Sequence, residues 1–549
     1  MEALELTRRE LLATFLGAPA ALAAGCSPPV QSLPLEGAIV GASAAIGHRL
    51  RDGVRPTPAA DRWQNVGVVI VGGGIAGLAT AWRLRRAGFQ DFVVLELEPR
   101  AGGTSRGDSL GGIPCPWGAH YVPAPLKENG ALVALLDEMG VLEGRDGEGE
   151  PVVAEQFLCR DPQERLFFAG EWHEGLYPHE GESEADRRDW TAFQAEISKW
   201  VAWRDAHGRR AFTIPVASCS DDADVTALDR ISMADWLAGK NLTSSRLRWL
   251  ADYSCRDDFG LTVEQTSAWA GLFYFASRVR TPWAEPQSLI TWPEGNGRIV
   301  DHLSEPLGGV LRSGWAVSEL VPKAGDEPGV DVVAVSHDGS DALGFHTRQA
   351  VFCAPHYLAS HLIRGFGEVR GNAAREFQYG SWMVANLLLR DRPRESGFPL
   401  AWDNVLYESP SLGYVSATHQ QGIDRGPAVF TYYYPVCDDD PRAGRARLAG
   451  LSWNECAEIV LSDLSRAHPD IRGLVTRLDV MHWGHAMIRP RPGFVWSAAR
   501  LGETQPFGPI RFANTDLSGV ALFEEAFYHG VRAAEDILRE RGIAFDTLL

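Results

Sequence analysis

Lysine is almost missing from this chain of 549 residues, occurring only at Lys127, Lys199, Lys240 and Lys323. With 52 basic against 71 acidic side chains the formal net charge is −19 and no basic stripe breaks it, which argues against a nucleic-acid partner or an anionic membrane surface. The 8 cysteines include no C-x-x-C pair, so neither a zinc site nor a dense disulfide framework is indicated. A transmembrane span is also missing near the start, where the uncharged run Leu11 to Gly25 is short and broken by Pro19. What the chain does have is apolar material, 45% of its residues, enough for a large core spread over two or three domains.

The N-terminal run reads instead as an export signal. Thr7, Arg8 and Arg9 precede it as in a twin-arginine signal, and Leu22-Ala23-Ala24-Gly25-Cys26 resembles a bacterial lipoprotein processing site. Residues 1–26 are therefore expected to be a twin-arginine or lipoprotein-type signal, with Cys26 acylated or the chain simply cleaved after Ala23. The expected location is the periplasm, or the cell envelope through a lipid anchor. Residues 27–62, rich in Pro, Gly, Ala and Ser, read as a loosely packed tether.

The stretch from Val66 to Arg106 organises the rest. Val68 to Val71 form a continuous apolar run, the mark of a parallel strand buried on both faces. Gly72, Gly74 and Gly77 then supply G-x-G-x-x-G: one glycine for the turn, one for close approach of a pyrophosphate, one for helix–strand packing. A helix from Ile75 to Ala87 offers its first N–H groups, around Ile75 and Ala76, to the phosphates. Glu96 ends the next strand, Phe92 to Leu95, where a carboxylate can accept both ribose hydroxyls. Strand, turn, helix, strand and acid in register indicate a dinucleotide site.

Arg100, Gly102 and Gly103 follow, and with Glu96 they resemble the E-x-x-x-R-x-G-G continuation of the flavin amine oxidase family. The resemblance implies an α/β fold: a Rossmann-like FAD-binding domain of glutathione-reductase type with an inserted α+β substrate domain. It places the FAD domain at 63–125, 289–375 and 500–549, and the substrate domain at 126–288 and 376–499. It also implies that Arg100, Gly102 and Gly103 lie near the diphosphate of FAD, and that Trp117, Gly118, Ala119, His120 and Tyr121 pass over the flavin ring. Val317 falls in the strand beside adenine, Ala354 ends a later strand, and Asp516 takes the place of the acid near the ribityl chain. Glu525 and Ala526 open the final helix in place of the usual Gly-Ala.

Two departures carry expectations of their own. The cysteine that anchors FAD covalently in some members has no counterpart, so noncovalent FAD is expected. The family lysine that reaches flavin N5 through water is replaced by Val384, so electrons are expected to pass to a quinone or another carrier. Candidate catalytic groups are His120, Tyr433, Trp483 and His485. The strand alternation sends Tyr433 to one face and its tyrosine neighbours to the other. A structural histidine at 120 and a merely packed sheet face at 483–485 remain open readings.

The leading functional expectation is an FAD-dependent oxidoreductase that moves hydride from a C–H beside an amine nitrogen, a polyamine being one such substrate. Two others stand beside it: an isoprenoid desaturase or isomerase, expected to have a long uncharged tunnel, and a non-catalytic flavin lipoprotein serving assembly or electron transfer. Fold does not choose among them.

Overall fold

An apolar strand with no polar face needs cover on both sides, and strand Trp63–Val71 has it. In the computed structural model, which describes residues 35–41, 43–53, 55–323 and 328–549, this strand pairs in parallel with Phe92–Glu96 on one edge and Ala342–Phe352 on the other. Leu311–Ser313 extends the sheet beyond Phe92–Glu96, and an antiparallel meander of Trp315–Lys323 and Gly329–Ser336 extends it beyond Ala342–Phe352. Ile510–Phe512 completes the 7-stranded sheet by pairing with the end of Ala342–Phe352. The signal expected at 1–26, with Cys26, lies outside the described residues.

Helix Ile75–Arg86 covers one face, and the final helix Phe523–Glu540 packs directly on it. The contact is backbone-close: a Cβ on Gly530 would sit 2.3 Å from the Ala76 carbonyl oxygen. A buried Arg83–Glu535 ion pair at 2.9 Å locks the two helices in register. Ala526, Gly530, Ala533, Ala534 and Ile537, at helical spacing, form the buried face of the final helix.

A second 7-stranded sheet runs in the spatial order Val475–Ile488, Tyr379–Leu389, Ala428–Val436, Tyr414–Ser416, Asp403–Leu406, Glu164–Phe168 and Glu171–Glu174. Helices Glu184–Ala202, Met233–Gly239, Ser245–Phe259 and Ala268–Ser277 build the remaining part of this lobe around Phe193, Phe212 and Trp269. Helix Glu184–Ala202 opens on a capping box formed by Ser183 and Asp186. The helix Ser245–Phe259 had no counterpart among the expected elements, and its last turn proves central below. A two-stranded ribbon, Tyr121–Pro123 with Leu289–Thr291, marks the crossing between the lobes. No helix among the described residues is long and apolar enough to cross a membrane.

The second half of the expected tether is not loose. Leu478 and Val480 donate their N–H groups to Glu36 and Ala38 on the free edge of the long strand, and Val40 donates back to Val480. A few residues later the chain reaches the other lobe, where Ser43 donates to the Glu98 carboxylate and helix Ala44–Arg51 buries Ile46 and Leu50 against Leu97, Ala316 and Val335. Deleting residues 35–52 is expected to speed amide exchange at Leu478 and Val480 by orders of magnitude, because both lose their acceptors. Hydrogen-exchange mass spectrometry of peptides spanning 475–482 checks this.

Candidate active site

Two glycine turns lie side by side where the lobes meet. Gly72 turns at φ +101, and a Cβ on Gly77 would stand 1.9 Å from the Gly72 carbonyl oxygen, so helix and strand touch only because both are glycine. Gly102 donates its N–H to the Gly73 carbonyl, bringing the second turn against the first. A Cβ on Gly74 would meet nothing within 4 Å, and one on Gly103 only the Gly74 Cα at 3.6 Å. The result is a floor with no side chains, edged by the start of helix Ile75–Arg86.

From this floor a cavity of about 400 Å³ runs toward the second sheet. Its near end is walled by Ile75, Ala76, Gly103, Thr104, Asn514 and Asp516. Its far end is walled by His120, Tyr433 and Trp483 together with Val384, Trp382 and Leu412.

The expected cofactor residues fall into two groups. Gly74, Ile75, Ala76, Gly102, Gly103, Gly118, Ala119, Asp516 and Ala526 line the cavity, while Gly72 and Gly77 shape its floor from behind. Glu96 is buried at the end of its strand and accepts N–H bonds from Gly73 at 2.6 Å and Glu98 at 2.7 Å, burial nonetheless raising its carboxyl. Asp516 accepts from the His356 N–H and the Tyr379 hydroxyl, and burial raises it as well.

Five further expected residues stand apart from the cavity wall. Arg100 is exposed and paired with Asp108, because the turn between Glu96 and Gly102 carries its side chain outward. Glu525 turns away: it accepts the Val216 N–H and the Ser518 hydroxyl, fastening the final helix to the other lobe, and burial pushes it up to about 7. Its neighbour Glu524 faces the cavity instead. Trp117 is buried behind the wall, where its carbonyl accepts the Trp483 indole N–H at 2.7 Å. Val317 is packed in the apolar layer of the first sheet; Ala354 lies beside Gly72, its carbonyl bonded to Asn514.

The candidate catalytic groups do meet. Tyr433 and His120 stack with centroids 4.8 Å apart, and the Tyr433 hydroxyl donates to the Gly118 carbonyl. His120 Nδ1 donates to the same carbonyl at 3.1 Å, which leaves Nε2 as the acceptor. Burial holds His120 down at about 4, and burial with the Arg445 charge holds His485 at about 4, so both rings are neutral near pH 7. Trp483 and His485 share a strand face, and both line the cavity.

The acids of the far wall escaped sequence reasoning. Asp257 and Asp258 end helix Ser245–Phe259, just before Gly260 at φ +64, and Asp403 comes from the neighbouring sheet. Asp258 pairs with Arg278 at 2.8 Å. Among the described residues neither Asp257 nor Asp403 has a cation within ion-pair distance; the Tyr253 hydroxyl reaches Asp403 at 3.3 Å, and Arg278 acts on Asp257 only from farther off. Burial, then the Asp258 charge, pushes Asp257 up to about 7; burial raises Asp403 and Glu524 too. A signal existed: carboxylates in the last turn of a helix oppose its dipole, and such a local violation marks a site.

The residues present suit FAD. The bare glycine floor at a helix N-terminus fits a diphosphate, and the buried Oδ1 of Asn514 on the cavity wall has no hydrogen-bond partner among the described residues, leaving an acceptor for a cofactor hydroxyl or N–H. The strands of the first sheet lie at 63–71, 92–96, 311–352 and 510–512.

Comparison with known proteins agrees with this geometry. A match to a Baeyer-Villiger monooxygenase of Streptomyces coelicolor, 46% identical over 57 residues, spans only 10% of this chain and 11% of that protein. Among solved structures, a double mutant of putrescine oxidase aligns over 87% of this chain and 100% of its own, with TM-score 0.63 and 18% identity. Cyclohexylamine oxidase from Brevibacterium oxydans covers the same shares at TM-score 0.60 and 19% identity. A fatty acid isomerase from P. acnes aligns over 86% of this chain and 98% of its own at TM-score 0.59 and 15% identity. These likenesses show the fold, an FAD-binding lobe joined to a substrate lobe, while residues 75–538 match the sequence pattern described as flavin-containing amine oxidoreductase. Spanning most of the chain, that match settles the family: the chain belongs to the flavin-containing amine oxidoreductase family, with FAD as its cofactor.

Proposed function

We propose that this protein oxidises an amine that carries a second cationic group, such as a polyamine. The observation that carries the reading is the far wall of the cavity, where Asp257 and Asp403 stand beside an aromatic face with no cation within ion-pair distance among the described residues. A buried carboxyl left without a partner is costly, and a ligand ammonium offsets that cost with charge-assisted hydrogen bonds.

When bound, FAD supplies the hydride acceptor; the chain supplies the rest. Gly74, Gly102 and Gly103 would bear the diphosphate, with Asn514 and Asp516 farther along. Asp257 and Asp403 anchor one end of the substrate, and His120, Tyr433 and Trp483 press on the other, excluding water and fixing orientation. His120 Nε2, neutral at pH 7, can take a proton from the reacting nitrogen. Val384 occupies the wall where the resemblance led us to expect no lysine, and all four lysines lie elsewhere, in ion pairs with Glu150, Glu196 and Asp331. That supports a carrier other than dioxygen as the oxidant.

The desaturase or isomerase reading calls for an uncharged tunnel, which five carboxylates and Arg278 do not make. The non-catalytic reading calls for a sealed cofactor, and the cavity extends well beyond the glycine floor. Anaerobic mixing of the holoenzyme with putrescine, spermidine and a simple monoamine tests the proposal. The visible flavin band is expected to bleach with the diamine or triamine at lower concentration than with the monoamine; no bleaching by any amine contradicts it. Export and lipid attachment remain part of the proposal, tested by the mass of the mature N-terminus.

A further inference from the structure

A second cavity, about 610 Å³, opens on the outer surface and meets the first at a shared wall of Tyr379 and His485. Its character is the opposite of the acid-walled one. Arg375, Arg442 and Arg445 line it, and none of them has a carboxylate within ion-pair distance among the described residues. In a chain of net charge −19 most arginines near an acid are paired, so three unpaired ones in one cleft form a local positive field. The single acid in the lining, Asp440, is occupied as the N-cap of helix Pro441–Gly450, accepting the Arg442 N–H. Arg445 spends one nitrogen on the Tyr379 carbonyl and keeps the rest of its fork free.

The cleft is also flat-walled. Tyr357 stacks on His485 at 4.2 Å, nearly parallel, and Phe377 adds a further ring. Arginine forks beside stacked rings suit a planar molecule that carries an anionic group. Only the thickness of the Tyr379–His485 wall separates such a molecule from the flavin cavity. No lysine lines either cavity.

We propose that the outer cleft is the site of the second substrate, a planar quinone bearing a carboxylate or sulfonate group, which reoxidises the flavin across the Tyr379–His485 wall. Two electrons leave the reduced flavin, whose two protons go to water in its cavity. The quinone takes the two electrons and two protons from water in the cleft, and its two C=O groups become C–OH. Amine and oxidant then occupy separate sites of opposite sign. The proposal needs the flavin but no particular amine.

The test uses holoenzyme reduced with limiting dithionite in the absence of oxygen, so that the amine reading does not enter. Mixing with a sulfonated naphthoquinone is expected to reoxidise the flavin at a rate that saturates with quinone concentration. In the double variant Arg375→Ala/Arg442→Ala the half-saturating concentration should rise by about tenfold or more, the order of one or two lost charge-assisted contacts. Reoxidation by the unsulfonated naphthoquinone should be unchanged. A redox-inert naphthalenesulfonate, followed by quenching of protein fluorescence in the oxidised enzyme, should show the same loss of affinity in that variant and in Arg445→Lys. Unchanged affinity in both variants overturns the proposal, as does failure of any quinone to reoxidise the flavin. Competition between the naphthalenesulfonate and a bleaching amine would also overturn it, making the cleft the amine entrance.

Discussion

Asp257→Asn is expected to raise the diamine concentration needed to half-bleach the flavin by about ten- to hundred-fold, from the loss of roughly 1.5–3 kcal/mol of charge-assisted bonding. The substitution keeps the shape of the side chain and removes only its charge. A monoamine of similar length, with no second ammonium to place, should change little. The pH dependence follows from the position of this carboxyl, held at about 7 by burial and by Asp258. Below that value it is neutral in the free enzyme and cannot pair with a cation, so diamine binding should weaken as pH falls through about 7, by up to about tenfold per unit. Binding at about pH 6 should release a proton, because the bound ammonium favours the ionised form. In Asp257→Asn both the pH step and the proton release should vanish, which isothermal titration in two buffers of different ionisation heat can read. A diamine affinity flat across this range in the unaltered enzyme would mean that Asp257 does not face the cation.

Gly74→Val is expected to empty the enzyme of flavin while leaving the protein folded. Gly74 has φ −71, which valine tolerates, and a Cβ there would meet no atom of the chain within 4 Å. The β-carbon itself therefore meets no resistance in the free protein. The added methyl groups would stand on the glycine floor instead, in the space assigned to the diphosphate. Overpacking of this kind costs about 1–3 kcal/mol or more, at least a ten- to hundred-fold loss of FAD affinity. The readout is flavin content after gel filtration, with the apoprotein melting temperature as the control for folding. Gly77→Val makes the contrast, since its Cβ would stand 1.9 Å from the Gly72 carbonyl oxygen and should damage the fold itself. Retention of FAD by Gly74→Val would place the diphosphate elsewhere.

What was legible in the sequence was local. The run Val68–Val71, the glycines at 72, 74 and 77 and the acid at 96 each state their own backbone requirement, and together they describe a strand, turn, helix and strand before any long-range contact forms. The alternation of tyrosines at 432–434 likewise told that Tyr433 and its neighbours face opposite ways, since period two is a property of the strand alone; the structure adds that Tyr433 lines the cavity, while Tyr432 is buried on the other side with its hydroxyl on Asp463. The acid wall was not legible in that way. Asp257 and Asp403 are remote in sequence and meet only when a helix of one segment packs against a sheet of another. Glu524 and Glu525 show the limit most clearly: adjacent, identical in chemistry and both buried, they part because the helix turns one toward the cavity and the other toward Ser518 and Val216. Arg100 was placed by resemblance alone, and its side chain is exposed and paired with Asp108. The segment 35–52 was read from composition as loose, whereas its stability comes from the edge of a strand more than four hundred residues away in the chain.

The account rests on one cofactor held without a covalent bond where the two glycine turns meet. The most direct measurement is to precipitate the purified protein with acid and assay the supernatant for flavin. One FAD per chain, all of it in the supernatant, is the predicted result; a colourless protein that takes up no FAD on reconstitution, or flavin that stays in the pellet, would contradict it.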